Sequence, residues 1–181
     1  MNVTAYLVDW PEAAKRMAEG TLESSMIDDD TGELAAWIED LEWQCDSHAN
    51  YIAAAEAWEA VRQSATNISE DMSARAIEFM NGLITHEGFF MDLGAGCQEI
   101  GISLSPETAE RLAHLIADVD FSLYRDAYYS KCDAATKETF SSEDGDVDSS
   151  FEDGFLPYVQ AWIEAINTAA SRKMGFLVTF T

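Results

Sequence analysis

The stretch QEIGISLSPETAERLAHLIADVDFSL, residues 98–123, contains a strand, a helix and the signal that separates them. Ile100, Ile102 and Leu104 alternate with Glu99, Gly101 and Ser103. That period of two predicts a half-buried strand with its three aliphatics on one side. Ser105-Pro106-Glu107 predicts a helix start. It supplies a hydroxyl to accept from an exposed amide, a proline where no donor is needed, and an early carboxylate. Leu112, Leu115, Ile116, Val119 and Leu123 follow at helical spacing and predict the buried stripe.

Toward the C-terminus, SSEDGDVDSSFED (141–153) has no apolar period and is dense in carboxylates, which predicts a solvated acidic loop. Phe155, Val159, Trp162, Ile163 and Ile166 predict a last helix that starts near Asp153, with Pro157 in its first turn. Arg172 and Lys173 lie at the end of that helix, where cations are favourable. Gly175 is expected to stop it. Phe176, Val178 and Phe180 then alternate with Leu177 and Thr179 in a terminal strand.

Toward the N-terminus, VTAYLV (3–8) predicts a strand, and Asp9-Trp10-Pro11 a helix start. Gly20 is a candidate stop, although Leu22 and Met26 allow a resumption. Asp30 and Glu33 have capping-box spacing. Leu34, Trp37, Ile38, Leu41 and Cys45 then predict a helix with Glu39, Asp40, Glu42 and Asp46 on its solvated face. Tyr51, Ile52, Ala55, Trp58 and Val61 predict another, and Ala74, Ile77, Met80 and Ile84 a third. Phe89 to Met91 reads as a short strand and Gly94-Ala95-Gly96 as a turn. Without regular βαβ spacing, the expected fold is a single α+β domain over 1–181. It has a small, mostly antiparallel sheet packed by about five helices.

The order of elements in the second half resembles that of the YfbM-like family of uncharacterised bacterial proteins. In that family a strand runs into a Leu-Thr-Pro-Glu-Glu helix start, and the chain ends in an apolar strand after a long helix. Leu104-Ser105-Pro106-Glu107 and Phe176 to Thr181 stand at those two points. Val3–Val8 and Ala57-Trp58 are compatible with the family's opening strand and central tryptophan. Ala55 and Glu56 replace the usual Asp-Lys before that tryptophan. The resemblance covers mainly residues 97–181. It implies an α+β fold and gives no activity, because the family has no established catalytic residues to carry over.

Charge limits the partners. The chain has 34 Asp and Glu against 10 Lys and Arg, a net charge of −24 over 181 residues. With no basic patch to neutralise phosphates, nucleic-acid binding is excluded, and anionic membranes are repelled. No apolar run approaches the ~20 residues that span a bilayer. Cys45, Cys97 and Cys132 are odd in number and unpaired in spacing, and no secretory leader opens the chain. A reducing, cytoplasmic setting is therefore expected. Halophilic solvation is a rival explanation of the charge.

No motif for catalysis is complete. Asp144, Asp146 and Asp148 have the first spacings of a calcium loop, but Ser149 and Phe155 stand where glycine and glutamate are required. Cys45 and His48 lack two further zinc ligands, although Cys97, Cys132, His86 and His114 exist elsewhere. Cys97 follows a glycine turn, but surrounding acid disfavours its thiolate. Glu39 with Glu42, and Glu56 with Glu59, read as polar helix faces. No catalytic residue, metal or cofactor is assigned.

The expected function is a non-enzymatic, inhibitor- or immunity-like protein that docks a basic protein. Its contacts are Glu39, Glu42, Asp46, Asp144, Asp146, Asp148, Glu152 and Asp153. One alternative is a small-molecule binder or enzyme with a pocket lined by Trp58, Tyr124 and Trp162. Another is a nucleic-acid mimic.

Overall fold

The computed structural model describes residues 3–41, 58, 61, 68–85, 92–93, 100–130 and 151–180. Among the described residues there are four strands: β1 (Val3–Val8), β2 (Ile38–Asp40), β3 (Ile100–Leu104) and β4 (Gly175–Phe180). They form one sheet in the order β2-β1-β4-β3, with every neighbouring pair antiparallel. The first and last strands therefore lie side by side at its centre, with Val3 opposite Phe180 and Val8 opposite Gly175. The helices are α1 (Trp10–Glu19), α2 (Glu70–Thr85), α3 (Pro106–Ile116) and α4 (Leu156–Arg172). Trp58 and Val61 are also helical, as are residues 125–130. The fold is α+β.

Both faces of the sheet are covered. Ala5, Leu7, Ile102, Leu104, Phe176 and Val178 face the larger core, where they meet Phe79 and Met80 of α2, Leu112 of α3 and Trp162 and Ile166 of α4. Val8, Ile38, Ile100 and Leu177 face a smaller core with Ala13 of α1 and with Leu22 and Met26 beyond it. Alternation in β4 sends successive side chains to opposite faces, so this strand is buried on both sides.

Local chemistry explains the helix ends. Asp9 caps α1 by accepting from the Glu12 amide at 3.2 Å, Pro11 sits in the first turn, and Gly20 closes the helix at φ 69°. Ser105 caps α3 by accepting from the Thr108 amide at 3.2 Å. Asp92 ties this corner down, with its Oδ2 accepting from the Ser105 amide at 2.7 Å. The Asp92 amide in turn donates to the Ser103 carbonyl on the outer edge of β3.

Several expectations are corrected. Residues 34–41 do not form a helix. Asp28 Oδ1 accepts from the amides of Asp30 and Thr31, both at 3.0 Å, and Gly32 adopts φ 69°. That closes a turn in which Ile27 bridges Leu34. The chain turns again at Ala35–Trp37, where the Ile38 amide donates to the Ala35 carbonyl at 2.8 Å, and then enters β2. Leu34, Trp37 and Ile38 do share one core, but a turn followed by a strand places them there.

The buried face of α2 is Ala76, Phe79, Met80 and Leu83, whereas Ala74 is exposed and Ile77 only half-buried. The actual stripe has i, i+3, i+4, i+7 spacing and centres on the large Phe79 ring. In β3, a bulge between Ile100 and Ile102 sends Ile100 to the smaller core, away from Ile102 and Leu104. Leu123 lies past the end of α3 and is 51% exposed. The end of the expected acidic loop is also structured: Phe151–Phe155 is a π-helical turn, with Phe151 buried against Tyr128 and Phe155. Helix α4 ends at Lys173, in the left-handed region at φ 54°, so Gly175 is not its stop. Gly175 already belongs to β4, and a Cβ there would lie 2.5 Å from Cε3 of Trp10. The expected features at 42–50, 51–57, 86–91, 94–99 and 141–150 lie outside the described residues.

Candidate functional site

Every carboxylate with a described side chain reaches solvent, and the buried polar residues among those described are Ser103, Thr108 and Thr179. Burying a carboxylate without a partner is costly, so an excess of acids on a chain of this size goes to the outside. Most of the described basic side chains are engaged nearby. Arg16 and Lys15 pair with Glu12 at 2.8 and 3.7 Å. Arg75 sits 3.1 Å from Asp71 and 3.9 Å from Asp118, and also donates to the Leu115 carbonyl. The remaining acids are left as a field of one sign.

Two of the expected docking residues form clasps. Glu39 is on edge strand β2, not on a helix. Its backbone position opposite Leu7 points its side chain to the α4 side of the sheet. There the Arg172 guanidinium grips both carboxylate oxygens in a fork. Hydrogen bonding from Arg172 holds the Glu39 carboxyl below the ordinary glutamate range and pushes Arg172 up.

Glu152, in the turn before α4, accepts from the Tyr129 hydroxyl and the Arg125 guanidinium. Those two bonds, Tyr129 first, lower the Glu152 carboxyl, and Glu152 in turn raises both partners. The Arg125 guanidinium also lies over the Tyr129 ring at 5.5 Å. The clasp joins residues 125–130 to the start of α4. The 17 residues of α4 separate the two clasps by about 25 Å along the helix axis, so Glu39 and Glu152 do not share one patch. Asp153 follows Glu152 in the same turn, while Glu42, Asp46, Asp144, Asp146 and Asp148 lie outside the described residues.

Sequence reasoning missed Arg172, Arg125 and Tyr129. Reading Ile38–Asp40 as a strand would have pointed to Arg172, because a cation ending the last helix then faces the edge of the sheet.

The expected pocket residues are all in the larger core. The Trp58 ring lies 5.0 Å from Tyr124, 6.2 Å from Phe121 and 6.4 Å from Phe155, and Tyr124 also meets Phe121. Trp162 packs edge-on against Tyr158 and Phe176. The structure thus brings Trp58 and Tyr124 together and sets Trp162 under β4. Trp58 and Tyr124 are each 1% exposed, and neither the indole N–H nor the hydroxyl has a hydrogen-bond partner among the described residues. Burial raises the Tyr124 hydroxyl pKa, while the nearby Ser73 hydroxyl acts in the opposite sense without a bond of good geometry.

Among the described residues, no group of three or more His, Cys, Asp or Glu is arranged to hold a metal ion. His114 is exposed on α3, and the three cysteines, His48 and His86 lie outside the described residues. No described helix is long and apolar enough to cross a membrane. Comparison of the chain with family models, with curated proteins and with solved structures finds no match.

Proposed function

We propose that this chain is a non-enzymatic interaction protein that docks a basic protein partner in the cytoplasm, in the manner of an inhibitor or immunity protein. The supporting observation is the placement of charge: described carboxylates all reach solvent, while Lys15, Arg16, Arg75, Arg125 and Arg172 are each engaged by an acid close by. A field of that kind speeds encounter with a cation-rich surface and makes binding sensitive to salt. Since Arg172 and Arg125 already hold Glu39 and Glu152, docking falls mainly to the other acids, Glu42, Asp46, Asp144, Asp146, Asp148 and Asp153. Kinship with the YfbM-like proteins belongs to the same reading. It is supported by a strand running into the Ser105-capped helix and by β4 after the long α4.

The test is capture of partners from native cell extract at low and high ionic strength. A basic protein should be retained, with affinity falling on the order of tenfold or more as the Debye length drops from about 10 Å to about 3 Å. A variant with Asn or Gln at Glu42, Asp46, Asp144, Asp146 and Asp148 should lose most of that affinity. Unchanged affinity in that variant would end the docking reading. Absence of any retained basic protein would favour a solvation role for the charge.

One observation favours a second reading, a small-molecule site in the aromatic cluster: two buried donors, Trp58 Nε1–H and the Tyr124 hydroxyl, have no acceptor among the described residues. Buried polar groups are normally satisfied by protein, water or ligand. Tyr124→Phe separates the cases. If an acceptor occupies the site, the variant loses about 1 kcal/mol of stability. If the hydroxyl is unpartnered, removing it is neutral or stabilising.

A further inference from the structure

We draw no further inference here: the strongest candidate, the aromatic cluster of the larger core where the Trp58 indole and the Tyr124 hydroxyl are buried without an acceptor, belongs to the site already described, and nothing among the described residues shows a space or a group that would receive a ligand there.

Discussion

The two faces of the sheet are covered in different ways. On one face α2, α3 and α4, together with Trp58 and the segment around Phe121 and Tyr124, share a core with Leu7, Ile102 and Phe176 in which rings meet rings, Trp58 on Tyr124 and Trp162 on Phe176 among them. On the other, a ten-residue helix and an irregular segment cover Val8, Ile100 and Leu177 with the buried Ala13, Leu22 and Met26 and the part-buried Trp10 and Trp37. Buried area makes the first face the main source of stability, since aromatic side chains each remove roughly 150–250 Å² from water. The second face depends more on shape. Its covering segment is held in place by the Asp28 turn, the left-handed Gly20 and Gly32, and the fit of Trp10 over Gly175.

Phe176 and Leu177 are adjacent but point to opposite faces, so truncating each to alanine tests the contrast directly. Phe176→Ala should cost about 3–5 kcal/mol and Leu177→Ala about 2–3 kcal/mol, read from urea midpoints at unchanged slope. Equal losses would break the comparison. Gly175→Ala probes fit on the second face. Its Cβ would meet the Trp10 ring, and the overpacking should cost about 1–3 kcal/mol. A neutral result would mean that α1 shifts freely over the sheet.

The two caps sharpen the contrast further. Ser105→Ala, which uncaps α3 on the aromatic face, should cost about 1 kcal/mol. Asp9→Ala, which uncaps α1, should cost less, because it also removes one charge from a chain at −24 and relieves self-repulsion.

The smallest effect concerns the clasp between α4 and β2. The Glu39 carboxyl is lowered in the folded state, chiefly by hydrogen bonding from Arg172. Its contribution is therefore complete above the ordinary glutamate range and is lost as pH falls through the lower folded value. Arg172→Gln should reduce the thermal midpoint slightly at about pH 7, and by nothing measurable once pH is low enough to protonate Glu39. High salt should shrink the difference as well. A gap that persisted in acid would assign Arg172 a packing role instead.

Much of the fold was legible. Asp9-Trp10-Pro11 and Ser105-Pro106-Glu107 do start helices, because caps act through residues three or four positions away, and Gly20, a stop that the sequence left open, does end α1. The alternation of β4 was equally clear. Leu34, Trp37 and Ile38 misled because i, i+3, i+4 spacing fits a helix, yet two successive turns deliver the same residues to the same core. Among the candidate site residues, Trp58 and Tyr124 do come together, whereas Glu39 and Glu152 stand at opposite ends of α4.

By itself the sequence determined the sheet-and-helix composition, the starts of α1 and α3 and the outward placement of acid, because capping, alternation and the cost of burying charge operate locally or on every residue alike. Only the tertiary structure decided that Ile38–Asp40 is a strand, that a bulge turns Ile100 to the other face, and that Glu39 meets Arg172, 133 residues away. Those outcomes depend on pairing with β1 and β4, and on where the last helix ends relative to the sheet edge. No short window of sequence contains both partners.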